Sequence, residues 1–133
     1  MVNIVGKYQH VLTLNTEEFI KLVGVEPTEE NVKALNSPDS ILTVKQKNDV
    51  YSFAIRIGLY WERAIYFTLG KKFLEGDGEV HTVAQREGDK FTLISRFEGN
   101  TWKRIYDFTD YGAVITLDTG NGLIAKRVYR RLF

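Results

Sequence analysis

Short turn sequences recur along this 133-residue chain, and they constrain its fold more than any other feature. Glycine, asparagine and aspartate enter tight turns most easily, and here they cluster at close intervals. The clusters are Lys47–Asp49, Gly76–Gly78, Glu87–Asp89, Glu98–Asn100, Asp110–Gly112 and Gly120–Gly122. Segments of roughly 6–10 residues, the length of ordinary strands, separate many of them. Short segments joined by tight turns predict an antiparallel meander.

Between the turns, apolar and polar residues alternate, as they do in strands whose two faces have different surroundings. Tyr51, Phe53 and Ile55 share one face of such a strand, and residues 65–69 and 102–108 show the same alternation. We count about ten strands. A meander of this many strands has no exposed edge strand if its sheet closes into a barrel. The sequence therefore predicts an all-β, up-and-down antiparallel barrel able to hold one small ligand.

One region, residues 15–36, has helical character instead. Asn15 and Glu18 form a capping box, in which the Asn15 side chain accepts from first-turn amides. Gly24 ends this first helix. A second short helix begins near Pro27 and ends before residue 37, because the residue preceding a proline disfavours helix. We therefore expect two short helices between the first and second strands.

Composition excludes several classes of protein. Lys and Arg number 18 against 17 Asp and Glu, a net charge of +1, without the basic excess typical of nucleic-acid binding. The chain has no cysteine, which excludes disulfides and thiolate chemistry. No apolar run approaches the ~18 residues of a membrane span, and the N-terminus does not resemble a signal peptide. These features predict a single soluble, cytoplasmic domain.

Three stretches of the chain are similar to the signature segments of one family. They are Gly6–Tyr8 with Asn15, Glu17, Phe19 and Ile20; Ile65–Gly70 with Phe73–Glu75; and Ala125–Tyr129. Together they resemble the intracellular lipid-binding proteins, which include the fatty acid-binding and cellular retinoid-binding proteins. The resemblance implies a calycin-like, ten-stranded barrel over residues 1–133, closed by a two-helix lid. The sequence has no glycine-rich phosphate loop after a strand and no cluster of metal ligands, so we expect no cofactor and no bound metal; we also expect a monomer.

Arg127 and Tyr129 are the leading candidates for ligand contact. They lie two residues apart, so on a strand they share a face. Alternation alone supports the inward and outward orientations equally, since Ile124 and Val128 make the opposite face a plausible buried one. The resemblance implies that the pair faces the cavity and anchors a carboxylate, with a bidentate contact from arginine and one bond from the tyrosine hydroxyl.

The other polar residues that could contact the ligand each have two possible roles. Tyr106 lies where the resemblance places a second arginine in acid-binding members, and Arg104 shares its face. Arg104 either points inward, as a ligand group or in an ion-pair network, or it caps the barrel end and pairs with Glu98. Glu75 is either an interior carboxylate that offsets Arg104 or a surface residue. Ser40 either reaches the headgroup through water or has no role.

The resemblance also suggests an apolar wall and a portal. The wall consists of Tyr51, Phe53, Ile55, Phe67, Ile115 and Leu117. Phe19 and Ile20 form the underside of the lid, and the 59–61 turn could gate the cavity. Lys21 and Lys33 on the lid either make transient contact with an anionic membrane or are simply solvated.

These observations favour a carrier of one long-chain fatty acid. A retinoid, sterol or bile-acid-like ligand is the alternative within this class, and Tyr106 favours it because it makes that wall less cationic. A secreted lipocalin and an interaction barrel with a filled core are the rivals outside it. We expect no catalysis, because His10 and His81 have no evident acidic or nucleophilic partner at a useful spacing. His10 alternates in phase with Tyr8 and Leu12, so these three residues are expected on one face in the barrel wall, whereas His81 is expected in solvent.

Overall fold

A computed structural model gives the architecture. It describes residues 3–15, 28–30, 33, 40–57, 61–75, 78–120 and 124–132. The elements in this part of the chain are ten β-strands: β1 (Gly6–Leu14), β2 (Ser40–Lys47), β3 (Val50–Ile57), β4 (Trp61–Thr68), β5 (Phe73–Glu75), β6 (Val80–Glu87), β7 (Lys90–Phe97), β8 (Asn100–Phe108), β9 (Gly112–Asp118) and β10 (Ile124–Arg131). The expected ten-stranded, all-β fold is confirmed.

All ten strands belong to one antiparallel sheet in the order β4-β3-β2-β1-β10-β9-β8-β7-β6-β5. Pairing of β1 with β10 brings distant parts of the chain together, with Tyr8 opposite Arg131. β4 and β5 form the two ends of the sheet. The Phe67 and Phe73 rings stack between these ends with centroids 5.7 Å apart. The sheet is therefore a nearly closed barrel.

The inward faces of the strands form one apolar core. Its members are Ile4, Tyr8, Leu42, Val44, Tyr51, Phe53, Phe67, Ala84, Phe91, Leu93, Tyr106, Phe108, Ala113, Ile115, Leu117, Ala125 and Tyr129. Phe53 is central to it, with its ring 4.7 Å from the Tyr106 ring and 5.3 Å from the Phe91 ring. The rings meet tilted or edge-on, the arrangement that aromatic quadrupoles favour.

A β-bulge interrupts the alternation of β1. Its pairing with β10 shifts between His10 and Leu12. The sequence predicts that Leu12 shares the inward face of Tyr8 and His10, and this prediction is wrong: Tyr8 and His10 are buried, whereas Leu12 is 44% exposed. A bulge inserts one unpaired residue and so reverses the facing of every later position. Thr13, rather than Leu12, reaches the His10 ring.

Most of the predicted lid lies outside the described residues, including Phe19, Ile20 and Lys21, and so do Leu59 and Tyr60 of the predicted 59–61 turn. Helical backbone is present at Glu29, Glu30 and Lys33, and Lys33 forms an exposed ion pair of 3.7 Å with Glu29. Among the described residues, no helix combines the length and apolar character needed to cross a membrane.

Asn15 was expected to cap the first helix, but its described contacts are with the strands. Its backbone has a left-handed φ of 59°, whereas a helix N-cap usually has an extended conformation. Its side-chain amide donates to the Ile124 carbonyl oxygen at 2.5 Å. Asn15 therefore ties the end of β1 to the start of β10.

Candidate functional site

Arg127 is a charged side chain inside the barrel. It is completely buried, as are Ala125 and Tyr129 on the same face of β10, while Lys126 and Arg130 are exposed. The Arg127 Nε–H donates to the Tyr129 hydroxyl at 2.8 Å. The structure therefore places Arg127 and Tyr129 on the inward face and in contact with each other.

Ser40, at the start of β2, completes this group. Its side chain is buried, and its Oγ accepts a hydrogen bond of 2.7 Å from Arg127 Nη2. Arg127 and Ser40 are 87 positions apart in the sequence, but β1 separates β10 from β2 in the sheet. Ser40 thus contacts the arginine directly. We call Arg127, Tyr129 and Ser40 the hydroxyl-bonded cluster.

The electrostatics of the hydroxyl-bonded cluster suit an anion. Burial raises the pKa of Tyr129, and the nearby Arg127 charge and hydrogen bonds offset this only in part. The phenol is therefore protonated and neutral at physiological pH, as is the Ser40 hydroxyl. Both described partners of the guanidinium are therefore neutral hydroxyls that help to orient it. Buried cations are stabilised best by a charge-assisted hydrogen bond to an anion.

His10 lies beside the cluster in the barrel wall. It is 4% exposed, its ring is edge-on to the Tyr129 ring at 5.8 Å, and its Nε2 lies 2.6 Å from Thr13 Oγ1. The predicted wall position of His10 is confirmed. His81 is exposed on β6, as the sequence predicts.

Arg104 forms a second charged group inside the barrel, together with Glu75. Arg104 Nη1 donates to Glu75 Oε1 at 3.0 Å, and Nη2 donates to Glu75 Oε2. Only 14% of the Arg104 side chain and 8% of the Glu75 side chain are exposed. The inward alternative is therefore correct for both residues. Glu98, the other predicted partner, is exposed in the β7–β8 turn.

Two hydroxyls that the sequence did not single out extend this pair. Thr82 Oγ1 donates to Glu75 Oε2 and lies 2.8 Å from Ser95 Oγ. Ser95 Oγ also accepts a hydrogen bond of 3.2 Å from Arg104 Nη2. Thr82 and Ser95 are both completely buried. We call Arg104, Glu75, Thr82 and Ser95 the ion-pair cluster.

The pKa of Glu75 reflects this pairing. Burial alone would raise it, but the charge and hydrogen bonds of Arg104, the hydrogen bond from Thr82 and a smaller contribution from Arg63 bring the net pKa below its ordinary value of 4.5. Glu75 is therefore ionised at neutral pH, and its negative charge compensates Arg104.

The residues of the predicted apolar wall are largely buried, and two of them pair with residues of the clusters. Tyr51, Phe53, Phe67, Ile115 and Leu117 are buried in the core, and Ile55 packs against it partly buried. Ile115 on β9 pairs with Arg127 on one side and with Tyr106 on the other. Leu117 pairs with Arg104. Arg127 and Arg104 therefore lie on β10 and β8, the two strands that flank β9.

Comparison with solved structures identifies the fold. A fatty acid-binding protein from Drosophila melanogaster brain tissue is 29% identical, with a TM-score of 0.79 over 96% of this chain and 99% of that chain. Lipid binding protein 8 of Caenorhabditis elegans is 20% identical, with a TM-score of 0.80 over 99% of both chains. The resemblance to the intracellular lipid-binding family is confirmed. No protein-family model matches the chain.

A third lipid-binding neighbour carries a ligand. The Schistosoma mansoni fatty acid-binding protein, solved in complex with arachidonic acid, is 20% identical, with a TM-score of 0.78 over 97% of this chain and 96% of that chain. In the present barrel, the described residues include no group of three or more His, Asp or Glu side chains arranged to hold a metal ion. Among the same residues, the hydroxyl-bonded and ion-pair clusters bring charged side chains into the interior.

Proposed function

We propose that the protein is an intracellular carrier that binds one long-chain fatty acid inside the barrel. The observation that carries this proposal is the burial of Arg127, held by the neutral hydroxyls of Tyr129 and Ser40. The neighbours named as fatty acid-binding proteins support it, since they share this fold. The proposed role is binding and transport, without catalysis and without a cofactor.

The carboxylate would bind at the hydroxyl-bonded cluster. Its oxygens would accept from the Arg127 guanidinium and from the protonated Tyr129 hydroxyl, because both groups are donors. Ser40 would hold the guanidinium in position through its 2.7 Å hydrogen bond. Arg104 is a weaker candidate for the headgroup, because Glu75 already compensates its charge.

The acyl chain would lie against the apolar wall described above, and Phe19 of the lid would cover it. Burial of each methylene contributes about 0.8 kcal/mol, so a long chain supplies most of the affinity and the carboxylate supplies orientation. Transient membrane contact through the lid and a monomeric state remain part of the proposal.

A retinoid, sterol or bile-acid-like ligand is the second candidate. Tyr106 favours it, because this residue places a neutral, buried phenol on the wall. Such a ligand would use the same cavity and would depend less on Arg127 if it carried no carboxylate.

The test is a binding titration of delipidated protein. We expect a fluorescent fatty acid to bind with a stoichiometry of one per chain and to be displaced by unlabelled fatty acids. Retinol and cholesterol serve as competing ligands, and tighter displacement by either would favour the second candidate. If none of the three classes binds at micromolar concentration, the carrier proposal is wrong. Native mass spectrometry of the purified protein would identify a co-purified lipid by its mass.

A further inference from the structure

Two hydrogen-bond donors inside the barrel lack an acceptor among the residues that the structure describes. One is the Arg104 Nε–H, which is buried and makes no hydrogen bond, although both terminal nitrogens of this side chain are bonded. The other is the Tyr106 hydroxyl. Tyr106 is 4% exposed as a whole residue, and its phenol forms ring contacts but no hydrogen bond with any described residue; unlike Arg104 Nε, its hydroxyl oxygen is not itself fully buried.

The two donors come from successive inward-facing positions of one strand. Arg104 and Tyr106 are two residues apart on β8 and face the interior together. Burial raises the pKa of Tyr106, and the positive charge of Arg104 opposes this rise in part. The phenol is therefore protonated at neutral pH and can donate. A buried donor is normally satisfied, so Arg104 Nε calls for an acceptor that the described residues do not supply, and the Tyr106 hydroxyl on the same strand face can donate to that acceptor as well.

The charge of the ion-pair cluster indicates which acceptor fits. Both Glu75 oxygens are already occupied, by Arg104 and by Thr82. A second carboxylate at this position would lie beside the negative charge of Glu75 and be repelled by it. Arg63 adds a weaker positive contribution at Glu75 and Tyr106. A neutral oxygen satisfies both donors and carries only a partial negative charge.

The distance from the proposed carboxylate anchor indicates where on a ligand this oxygen would lie. Tyr106 and Arg127 both pair with Ile115, so one strand separates them. With neighbouring strands about 4.8 Å apart, their backbones are roughly 10 Å from each other. Their side chains also reach in different directions, since Arg127 bonds to Ser40 on β2 whereas Arg104 bonds to Glu75 on β5. The second oxygen would therefore lie part-way along the acyl chain.

We infer that Arg104 Nε and the Tyr106 hydroxyl form a second polar subsite, which selects long-chain fatty acids carrying a neutral oxygen, a hydroxyl or a carbonyl, on the chain. This inference rests on the proposed function, because it assumes a carboxylate bound at Arg127. A plain acyl chain at this position would leave both donors without an acceptor unless a water molecule stayed beside them.

The test compares stearic acid with a series of hydroxystearic and oxostearic acids in which the oxygen is moved along the chain. The measured quantity is the ratio of dissociation constants, plain acid over oxygenated acid, for delipidated protein. We expect at least one mid-chain isomer to bind about three- to ten-fold more tightly than stearic acid, as one or two neutral hydrogen bonds would give. Tyr106→Phe should bring that ratio towards one, because it removes the hydroxyl and keeps the ring.

Arg104→Lys is the second variant, since it keeps a cation beside Glu75 but lacks the Nε–H; it too should lower the ratio. Tyr8→Phe is the matched control: the Tyr8 hydroxyl is buried but donates to the Ile4 carbonyl at 2.6 Å, so the ratio should keep its wild-type value. Thermal unfolding of each variant checks that it is folded.

The outcomes separate the two proposals. If stearic acid binds and every oxygenated isomer binds no better, the subsite is wrong and the fatty acid carrier stands. The subsite is also overturned if the ratio survives in both Tyr106→Phe and Arg104→Lys, or if a long-chain dicarboxylic acid binds better than the hydroxy acids. If neither plain nor oxygenated acids bind, the proposed function itself is wrong.

Discussion

The two buried arginines of this barrel differ in the hydrogen-bond partners that the structure describes for them. Arg127 bonds to the neutral hydroxyls of Tyr129 and Ser40, whereas Arg104 forms a two-pronged ion pair with Glu75. A hydroxyl orients a cation and leaves its charge available, while a carboxylate compensates that charge within the protein. An inward-facing arginine alone therefore does not indicate a binding site for the ligand headgroup, because the partners of the arginine decide whether it can attract an anion.

Removal of the Glu75 carboxylate should have the largest effect, a loss of folding stability. Glu75→Gln leaves Arg104 buried without its compensating charge, and breaking a buried ion pair in this way costs about 3 kcal/mol or more. We expect the free energy of unfolding, measured by urea titration, to fall by that amount. The control is Glu79→Gln, the same change at an exposed position, which should stay within about 0.5 kcal/mol of wild type. Equal small effects of the two changes would show that the ion pair contributes little.

Removal of Arg127 should lower the affinity for a fatty acid more than it lowers the stability of the fold. We expect Arg127→Gln to lower the affinity for a fatty acid by about 1.5–3 kcal/mol, the range for hydrogen bonds to charged groups. The affinity for the matching fatty alcohol, which has no charge to pair, should change little. Arg130→Gln is the control, because this arginine lies on the same strand but is exposed. An equal loss for acid and alcohol would rule out Arg127 as the carboxylate anchor.

One buried serine contacts each arginine, so serine substitutions should show the same difference between binding and stability, with smaller effects. Ser40 bonds to Arg127, and Ser95 bonds to Arg104. Ser40→Ala should weaken fatty acid binding, and Ser95→Ala should lower the free energy of unfolding, each by about 1 kcal/mol as for one neutral partner. Calorimetric titration and urea unfolding of both variants would measure the two effects. The contrast would fail if Ser95→Ala weakened binding as much as Ser40→Ala does.

Acid unfolding of the wild-type protein is the mildest test. The pKa of Glu75 is lower in the folded protein than its ordinary value of 4.5, so its stabilising contribution is complete above that value. The contribution should disappear as the pH falls below 4.5 and through the folded-state pKa. We expect the difference in unfolding free energy between wild type and Glu75→Gln to shrink over this range. A difference that is constant with pH would mean that ionised Glu75 does not stabilise the fold.

The sheet could be predicted from the sequence because its signals are local. Each strand lies between turn residues, and alternation assigns the inward face, as Tyr51 and Phe53 show. The bulge in β1 escaped this reasoning, because the residues around Val11 carry no distinctive turn chemistry. It is visible only in the pairing with β10, and it places Leu12 on the face opposite to the one predicted.

The candidate site was only partly predictable. The orientation of Arg127 was ambiguous from alternation, and the resemblance to a family resolved it in the direction that the structure shows. The pairing of Arg104 with Glu75 was one of two alternatives from the sequence, and only the family resemblance suggested it, because the two positions are 29 residues apart and a strand pattern does not select one acidic residue over another. Thr82 was missed because a small hydroxyl in a strand usually indicates a solvent-facing position.

Pairing of the first strand with the last has a consequence for the order of folding. The hairpins along the sheet join neighbouring segments, so they close short loops at low entropic cost. The ladder between β1 and β10 joins Leu14 to Lys126, and it can form only after the intervening chain has been drawn into a compact shape. Topologies dominated by such distant contacts fold slowly. Because this seam holds Tyr129 opposite His10, the hydroxyl-bonded cluster should acquire its geometry only when the barrel closes, as one of the last steps of folding.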